Sequence, residues 1–510
     1  MTDTKAIERS RTVAVVGTGT MGQGIAQVAL VAGHPVRLYD AGPGRAQQAA
    51  AAITARLDRL AEKGRLAAEE RDAAAGRLHV AETLDDLADA ALVIEAIVEQ
   101  LAVKQELFAE LEQTVADDCL LATNTSSLSV TAIAGALRVP GRFVGLHFFN
   151  PAPLLPLVEV VSGFATDETA ATRAYATAKE WGKTPVRCAD TPGFIVNRIA
   201  RPFYAEALRL YEERAADPAT IDAVLRECGG FRMGPFELTD LIGQDVNEAV
   251  TRSVWEAFHH DPKFTPSLAQ RRLVESGRLG RKTGQGWYAY GEGAERPAVP
   301  TEAPAPAPAA VTVHGRLGHA EPLVGMAERA GIKVRRRKHG HHLTLPGGGR
   351  LMLAHGEALF EYADQEVVFF DLAHDYTTAT RIALSTSPAA SPETLQEAVG
   401  LFQALGKDVT VIGDVPGMIV ARTVAMLVDL AVDAVERGVA SAEDIDTAMR
   451  LGVNYPAGPL EWGVLLGYEY VADVLRALHE RYPTGRYAPC LGVVRKDHEE
   501  AAALKDQDDR

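Results

Sequence analysis

The segment that decides the fold is Val13-Ala-Val-Val-Gly17-Thr-Gly19-Thr20-Met21-Gly22, which leads on to Asp40. Its three glycines form a GxGxxG pattern between an apolar strand and the start of a helix. In such a unit the glycines permit a tight turn, a close approach of the backbone to a pyrophosphate, and tight packing of the helix on the strand. The segment therefore predicts a dinucleotide-binding strand–helix–strand unit, and the alternative is a glycine turn in an unrelated α/β protein.

Asp40 indicates which dinucleotide this unit would bind. It ends the second predicted strand, Pro35–Tyr39, where an acid can bind the ribose hydroxyls and would repel a 2′-phosphate. NAD is therefore favoured over NADP, although Arg45 follows closely and leaves NADP open. The free N–H groups at the start of the helix, near Thr20 and Met21, are candidates for the phosphates.

Composition limits what else the chain can be. Its 510 residues and 47% hydrophobic content predict several globular domains, and a net charge of −16 argues against a nucleic-acid partner. The four cysteines form no CxxC pair, which favours reduced thiols over disulfides and predicts no bound metal. A polar start and the lack of a run of about 18 apolar residues predict a cytoplasmic protein without a membrane segment.

The chain divides into five predicted segments. Alternating strands and helices predict a Rossmann-like α/β domain over residues 1–192, followed by an all-α substrate domain over 193–291. Residues 292–311 alternate proline and alanine, which predicts a semi-rigid linker. A degenerate α/β segment, 312–412, and a second all-α domain, 413–510, complete the chain.

The end of the chain repeats an earlier part. Asp190-Thr-Pro-Gly-Phe-Ile-Val-Asn-Arg198 recurs 224 residues later as Asp414-Val-Pro-Gly-Met-Ile-Val-Ala-Arg422. The same offset relates Gly182-Lys183 to Gly406-Lys407 and Gly234-Pro-Phe-Glu237 to Gly458-Pro-Leu-Glu461. A constant offset predicts a tandem duplication with the second copy shortened at its front. No GxGxxG lies between Val311 and Asp414, so one active site per chain is expected.

The first copy contains a histidine and an acidic residue that are candidates for catalysis. His147 follows a predicted strand, Arg142–Leu146, in a predicted loop, and Glu159 lies inside an apolar strand. Oxidation of an alcohol by hydride transfer needs a base for the hydroxyl proton, and histidine changes its charge near neutral pH. A buried acidic side chain in an apolar strand is energetically costly unless another group pairs with it. The two residues are therefore a candidate base and orienting acid, and a purely structural hydrogen-bonded pair is the alternative.

Two further polar residues are candidates to hold a substrate oxygen. Ser126 follows the predicted strand Leu120–Thr123, although Ser127 or Ser129 in the same loop is at least as well suited to cap the next helix. Asn197 stands at the start of the helical domain, where it is placed to reach over a cleft.

The segments Gly17–Gly22, Asn124–Ser127 and His147–Pro151 resemble the 3-hydroxyacyl-CoA dehydrogenase family, and the resemblance continues in order over about residues 10–290. Four more segments share the resemblance: Glu95-Ala-Ile-Val-Glu99, Pro192-Gly-Phe-Ile-Val-Asn-Arg198, Met233-Gly-Pro-Phe-Glu-Leu-Thr-Asp240 and Gly280-Arg-Lys-Thr-Gly284. The family oxidises L-3-hydroxyacyl-CoA to 3-ketoacyl-CoA with NAD, and the resemblance implies a Rossmann-like domain followed by a helical domain. It implies His147 as general base, Glu159 as its partner, and Ser126 and Asn197 near the substrate oxygen. It also implies NAD contacts at Glu99, Lys104 and Lys282, and acyl-CoA contacts at Lys63 and Asn150; for Lys63 a solvated side chain is the alternative.

The second copy departs from the family pattern. At the constant offset, Asp371, Ala383 and Ala421 replace the histidine, the glutamate and the asparagine, so this half is expected to have lost catalysis. The two-copy architecture resembles the longer bacterial members associated with phenylacetate catabolism and 3-hydroxyadipyl-CoA. Since one-copy members pair through their helical domains, Pro416–Tyr482 is predicted to supply a partner surface in an internal pseudo-dimer, and a further homodimer is left open.

Two sets of basic residues have more than one interpretation. Arg335-Arg-Arg-Lys338 with His339, His341 and His342 predicts a charged, flexible hairpin, and a site for a CoA phosphate or a metal is the alternative. Arg198 and Arg201 are expected in ion pairs on a helix surface, and the alternative is contact with a distal substrate carboxylate.

Two other functions fit part of the sequence. An NAD-dependent dehydrogenase of a hydroxy acid without CoA would prefer free acids over thioesters. A non-catalytic NAD-binding scaffold would need a broken catalytic set, which describes residues 312–510 better than the first copy.

Overall fold

The computed structural model describes residues 5–508, with side chains up to residue 503. The chain forms two compact units: unit 1 is Met1–Arg198 with Arg437–Val453, and unit 2 is Ile199–Glu436 with Asn454–Arg510. Within the described residues, no helix combines the length and the apolar character needed to cross a membrane.

The first part of the chain alternates strands and helices, as predicted. Its elements in chain order are β1 Thr12–Val16, α1 Thr20–Ala32, β2 Val36–Tyr39, α2 Arg45–Glu62, α3 Ala68–Gly76, β3 Leu78–Val80, β4 Ala90–Glu95, α4 Leu101–Thr114, β5 Leu120–Thr123, α5 Val130–Ala134, β6 Phe143–Phe148, β7 Leu157–Ser162, α6 Glu168–Glu180, β8 Thr184–Ala189 and α7 Val196–Ile199.

The strands of unit 1 form one eight-stranded sheet in the order β3-β2-β1-β4-β5-β6-β7-β8. Neighbouring strands are parallel except β6 and β7, which are antiparallel. The order reverses between β1 and β4, so the loops that follow these strands diverge and leave a crevice at their carboxyl ends. Dinucleotides bind at such a switch point, which confirms the predicted Rossmann-type domain.

In the rest of the chain, one series of helices precedes a second group of strands and another series follows it. The elements are α8 Arg201–Glu212, α9 Pro218–Glu227, α10 Pro235–Ile242, α11 Gln244–Ala257, α12 Leu268–Glu275, β9 Ala310–Gly315, α13 Pro322–Arg329, β10 Lys333–Arg337, β11 His341–Thr344, β12 Arg350–Leu353, β13 Val367–Phe370, β14 Arg381–Thr386, α14 Pro392–Ala404, β15 Asp408–Val411, α15 Val420–Glu436, α16 Ala442–Val453, α17 Pro459–Leu466, α18 Tyr468–Arg481 and α19 Leu491–Asp508.

Strands β9–β15 form a second, seven-stranded sheet in the order β10-β9-β11-β12-β13-β14-β15. Strand β10 runs parallel to β9 on one side, and β11 runs antiparallel to β9 on the other. The predicted hairpin of basic residues is therefore wrong, because β9 separates the two strands that carry them. The reason is that β9 offers both edges for pairing, and β10 and β11 each occupy one.

The proline-rich segment is packed rather than free. The backbone N–H of Glu302 donates to the carbonyl of Val409 at 2.8 Å, and the Gln403 side chain bonds the backbone of residues 302, 303 and 305. Strand β9 begins at Ala310, two residues inside the predicted linker. The segment thus lies along the edge of the second sheet in unit 2.

The units divide the chain differently from the predicted domain boundaries, because helix α16 leaves the second helical region and packs on β7 and β8 of unit 1. The backbone of Ala189 donates to the carbonyl of Val439 at 2.8 Å. A Cβ at Gly452 would lie 2.7 Å from the Leu157 side chain, so this glycine permits the close approach. In unit 2, helix α9 packs against β14 in a corresponding way.

Candidate active site

The turn between β1 and α1 is shaped by its three glycines. Gly17 has a φ of +99°, and a Cβ there would lie 2.5 Å from the carbonyl oxygen of Ala96. A Cβ at Gly22 would lie 1.9 Å from the carbonyl oxygen of Gly17. Nothing would lie within 4 Å of a Cβ at Gly19. Packing therefore requires the first and third glycines, whereas Gly19 leaves open space where a pyrophosphate can approach the backbone, just before Thr20 and Met21 begin α1.

Asp40 follows β2 and is tied to the same turn. Its carboxylate accepts hydrogen bonds from the Thr18 backbone at 3.0 Å, the Thr18 hydroxyl at 2.6 Å and the Gly42 backbone at 2.9 Å. Burial opposes its ionised form, but these hydrogen bonds and the charge of Arg45 outweigh burial and lower the pKa of Asp40. A negative charge therefore stands where a ribose is expected, which favours NAD over NADP. The sequence pattern did not indicate Thr18.

Glu99 organises the loop that follows β5. Its Oε1 accepts from the backbone of Ser126 at 3.0 Å, from the backbone and hydroxyl of Ser127 at 3.2 and 3.0 Å, and from the Thr125 hydroxyl at 2.5 Å. Burial opposes ionisation of Glu99, but the Lys104 charge and these hydrogen bonds outweigh it and lower the pKa of Glu99. The acid is therefore an anion that fixes the loop carrying Ser126.

Lys104 lies beneath this loop and is 1% exposed. Its ammonium lies 2.5 Å from Glu95 and 3.2 Å from Glu99. Glu95 also accepts from the Thr123 hydroxyl at 2.7 Å. The charge of Lys104 is thus enclosed by the two carboxylates. A direct contact with NAD stays a prediction.

His147 and Glu159 lie directly opposite each other in the antiparallel pair β6–β7. Nδ1 of His147 is 2.6 Å from Oε2 of Glu159, and the side chains are 7% and 0% exposed. The predicted loop position of His147 is wrong, because pairing with β7 extends β6 to Phe148. A carboxylate at Nδ1 requires an N–H there, so Nε2 is the proton acceptor of the neutral ring. Among the side chains described, up to residue 503, none hydrogen-bonds Nε2.

The other oxygen of Glu159 is held by the start of the helical region. Oε1 accepts from the backbone N–H groups of Ile195 at 3.0 Å and Val196 at 2.9 Å. The preceding turn places Gly193 at a φ of +76° and Phe194 at +50°, a left-handed conformation that is uncommon for a bulky residue. The Pro-Gly-Phe motif therefore aims two backbone donors at Glu159, a role that the sequence alone did not reveal.

Ser126 and Asn197 lie near each other in unit 1. The side-chain amide of Asn197 is 3.5 Å from the carbonyl oxygen of Ser126. Asn124 accepts from the Phe148 backbone at 2.9 Å and so ties this loop to the end of β6. Ser129 caps α5 through the Ala132 backbone at 3.1 Å. No group within the described part of the chain bonds the Ser126 hydroxyl, which leaves it available to a ligand.

Three further residues are predicted to contact substrate or cofactor. Asn150 is exposed after β6, and Lys63 is exposed at the end of α2. Lys282 belongs to unit 2, where its ammonium pairs with Asp245 at 2.5 Å. Their contacts with substrate or cofactor stay predictions. Of the described residues, no group of three or more His, Cys, Asp or Glu side chains is placed to hold a metal ion.

In the second sheet, Asp371 stands at the position that corresponds to His147 at the offset of 224 residues. Its backbone N–H donates to the carbonyl of Ala383 at 3.0 Å, and its carboxylate accepts from the backbones of Ile419 and Val420 at 3.0 and 2.8 Å. Burial outweighs these hydrogen bonds and raises the pKa of Asp371 to about 6. The Asp371 carboxylate thus accepts two backbone hydrogen bonds equivalent to those of Glu159 in the first sheet. No histidine in the described part of the chain hydrogen-bonds this carboxylate, which supports the expected loss of catalysis.

Comparisons with known proteins agree with this arrangement. Residues 12–191 match the family 3-hydroxyacyl-CoA dehydrogenase, NAD binding domain, and residues 193–290 and 417–505 match the 3-hydroxyacyl-CoA dehydrogenase, C-terminal domain. Residues 351–416 match the 3-hydroxybutyryl-CoA dehydrogenase reduced Rossmann-fold domain.

Relatives are similar over the whole chain or its first part. The 3-hydroxyadipyl-CoA dehydrogenase of Escherichia coli (strain K12) is 45% identical over 484 residues, which cover 94% of this chain and 96% of that protein. The 3-hydroxybutyryl-CoA dehydrogenase of Mycobacterium tuberculosis is 42% identical over 56% of this chain and 99% of its own length. A crystal structure of 3-hydroxybutyryl-CoA dehydrogenase from Escherichia coli K12 has a TM-score of 0.89 and 43% identity, and the match covers 97% of this chain and 99% of that one.

Proposed function

Because this chain belongs to the 3-hydroxyacyl-CoA dehydrogenase family, we propose that His147 is the general base of its reaction and that Glu159 orients it. The chain is an NAD-dependent 3-hydroxyacyl-CoA dehydrogenase, which oxidises the 3-hydroxyl group of an acyl-CoA to a ketone. The observation that carries the assignment of roles is the buried His147–Glu159 hydrogen bond of 2.6 Å.

The pair accounts for the proton of the reaction. Glu159 accepts a hydrogen bond from Nδ1–H of His147 and so keeps Nε2 as the acceptor for the substrate hydroxyl proton. When that proton arrives, the carboxylate stabilises the imidazolium, while Ile195 and Val196 hold the carboxylate in place. NAD, when bound, supplies the acceptor for the hydride. The Ser126 hydroxyl and the Asn197 amide are proposed to hold the substrate oxygen during the transfer.

The residues present fit NAD. Gly19 leaves open space beside the backbone at the start of α1, and the ionised Asp40 stands at the carboxyl end of β2. Gly17, Gly19, Thr20, Met21 and Gly22 are proposed to hold the pyrophosphate and Asp40 the ribose, with Glu99 at the far side of the crevice.

A dicarboxylic acyl-CoA is the proposed substrate. The relative that matches 94% of this chain is named for 3-hydroxyadipyl-CoA, whereas others are named for 3-hydroxybutyryl-CoA. Arg201 is 4% exposed and donates to the Thr251 hydroxyl at 3.0 Å, with its guanidinium 4.9 Å from the Tyr204 ring centre. Within the described residues, Arg201 Nε and the nearby buried Tyr455 hydroxyl have no hydrogen-bond partner, and no carboxylate pairs with Arg201.

This finding changes the interpretation of Arg201. The expected ion pair on a helix surface is wrong for this residue, because its guanidinium is buried and has no described counter-ion. A buried charge without a partner is costly, and two unpaired buried donors favour an anionic acceptor. We therefore assign Arg201, four residues beyond Asn197 in the sequence, to the terminal carboxylate of the substrate.

Substitution of Arg201 by methionine tests the proposed substrate. We expect kcat/KM for 3-hydroxyadipyl-CoA to fall about 10–100-fold, since hydrogen bonds to charged groups contribute about 1.5–3 kcal/mol. 3-Hydroxyhexanoyl-CoA, which has the same six carbons without the second carboxylate, should change less than about threefold, and free 3-hydroxyadipate should be a poor substrate. NADH formation measures all three. Equal losses on both thioesters would mean that Arg201 supports the fold instead.

We also propose that the chain arose by tandem duplication. At an offset of 224 residues, four elements of the first part coincide at both ends with elements of the second: β7 with β14, α6 with α14, α10 with α17 and α11 with α18. The contacts correspond as well. Lys183 donates to the carbonyl of Leu155, and Lys407 donates to the carbonyl of Ala379, which is the equivalent residue.

The two helical regions are proposed to form an internal pseudo-dimer. In unit 2, α8 of the first region packs on α15 of the second, whereas α16 of the second region is part of unit 1, where it packs on β7 and β8. The segment Pro416–Tyr482 would then take the place of a second subunit; a further homodimer of whole chains is left open.

Truncation after residue 295 tests the pseudo-dimer. The shortened chain loses both α15 and α16, so we expect it to aggregate or to pair with a second copy, with activity falling accordingly. Size-exclusion chromatography with light scattering, run beside the full chain, measures this. A monomeric, well-behaved and fully active fragment would contradict the proposal.

A further inference from the structure

A basic cleft lies at the carboxyl ends of β9 and β10, among residues that the catalytic proposal does not use. It has a volume of about 570 Å³ and is lined by the cationic or titratable side chains Arg316, Arg336, Arg337, Lys338, His339 and His341. Ligand pockets commonly have volumes of about 300–1,000 Å³. In a chain with a net charge of −16, this concentration of positive charge needs an explanation.

The strands around the cleft repeat the geometry of the nucleotide-binding unit. In the first sheet β1 and β2 are parallel with Val16 opposite Tyr39, so that Asp40 follows at the level of Gly17. In the second sheet β9 and β10 are parallel with His314 opposite Arg337, so that Lys338 follows at the level of Gly315. A helix, α13, connects the two strands as α1 connects β1 and β2.

Gly315 also corresponds to Gly17 in conformation. Its φ is +65°, and a Cβ there would lie 1.8 Å from the carbonyl oxygen of Gly340. The backbone at this turn is therefore packed as closely as it is at Gly17, although no further glycines match the GxGxxG pattern. The difference between the two units is the charge at the end of the second strand: an acid in the first unit and a lysine, preceded by three arginines, in the second.

The charges of the cleft are largely uncompensated. Arg336 pairs with Glu321. Up to residue 503, where side chains are described, no carboxylate comes within 4 Å of the charged atoms of Arg316, Arg337 or Lys338. An acid at this position of a nucleotide-binding unit binds ribose hydroxyls, whereas a cation there accommodates a phosphate on the ribose. The reversal of charge thus changes the ligand that the site can accept.

A larger cavity adjoins the cleft and leaves room for the rest of a ligand. It has a volume of about 960 Å³ and shares Arg316 and His341 with the basic cleft. Its wall includes Leu353, Phe370 and Tyr470. In open α/β sheets, ligands bind outside the carboxyl ends of the strands, and both cavities lie there.

We propose that the second half of the chain binds an adenine nucleotide that carries a phosphate on its ribose, with Arg337 and Lys338 as the phosphate contacts. CoA thioesters and NADP(H) share this chemistry. The cleft belongs to unit 2, whereas His147 and Glu159 belong to unit 1, and the proposal does not depend on the roles of those two residues. Its competitor is protection of the edge strand β10, for which basic side chains are a common device and which requires no ligand.

Calorimetric titration of the full chain with three nucleotides tests the proposal. The probes are 3′,5′-ADP, which represents CoA, 2′,5′-ADP, which represents NADP, and 5′-ADP, which lacks a ribose phosphate. We expect a site that binds one ribose-phosphorylated probe at least about tenfold more tightly than 5′-ADP, as loss of a charged hydrogen bond implies. The preferred probe identifies the source, and equal binding of both would still support the shared chemistry.

Three variants separate this site from any binding in the first half. The double variant Arg337→Ala/Lys338→Ala should weaken the site about tenfold or more. Arg335→Ala removes one positive charge from the same strand outside the cleft and should leave binding at the site unchanged. Lys338→Arg should retain binding even if the double variant folds poorly. Binding that survives the double variant, equal weakening in Arg335→Ala, or no preference over 5′-ADP would overturn the proposal in favour of edge protection.

Discussion

Substitution of His147 by glutamine is expected to lower kcat by about 10²–10⁴-fold, the range that a positioned general base contributes. Glutamine can still hydrogen-bond Glu159, which lies 2.6 Å from the ring in the native chain, but it cannot accept the hydroxyl proton. Since no part of the glycine turn is altered, NAD binding should stay within about twofold. NADH absorbance measures the rate, and quenching of NADH fluorescence measures binding.

His34 provides the matched control in the same unit. It is a buried histidine that packs against Trp181 with ring centres 5.6 Å apart, and its Nδ1 donates one hydrogen bond to the Arg11 carbonyl oxygen at 3.1 Å. His34→Gln is therefore expected to change stability but not kcat. If His147→Gln kept more than about a tenth of the native kcat, the general base would have to be another group.

The second large effect is expected on stability, from Glu206 on α8. Its carboxylate is fully buried and accepts from Arg422 at 2.7 Å, from Arg486 at 2.6 and 2.9 Å, and from the Tyr487 hydroxyl at 2.7 Å. Glu206→Gln would leave the two buried guanidinium groups with one negative charge fewer to balance them. Breaking a buried ion pair costs about 3–5 kcal/mol, so the urea midpoint of unit 2 should fall markedly.

Glu213 is the control for this substitution. It pairs with the same Arg422 at 2.8 Å, but its side chain is 26% exposed, so Glu213→Gln should cost about 1 kcal/mol or less. Similar losses from both substitutions would show that burial does not set the strength of the cluster.

The acid sensitivity of the cluster follows from the same contacts. Burial opposes ionisation of Glu206, but Arg486 and Arg422 outweigh it and lower the pKa of Glu206 to about 2. A lowered folded-state pKa gives stability that is present above the unfolded value and is lost as pH falls towards 2. The native chain should therefore lose stability between about pH 4.5 and 2 more steeply than Glu206→Gln, as urea titrations at several pH values would show.

Local sequence was enough to predict most of the first domain. The strand Leu120–Thr123 has the predicted bounds, and β2 begins one residue later than predicted, at Val36. Short apolar strands, glycine turns and a terminal acid depend on neighbouring residues, so a pattern of a few positions specifies them. The constant offset of 224 residues and the family membership were visible in the sequence for the same reason: both depend on residue order alone.

Tertiary structure decided the rest, because the deciding contacts join residues far apart in the chain. The extension of β6 past His147 depends on β7, and the hold on Glu159 depends on backbone groups at Ile195 and Val196. The pairing of β9 with both neighbours removed the predicted hairpin and brought Lys338 level with Gly315. Arg201 is buried where no carboxylate among the described residues pairs with it. Sequence by itself determined the fold class, the cofactor and the family; long-range pairing and burial decided which polar groups meet and which charges remain for a ligand.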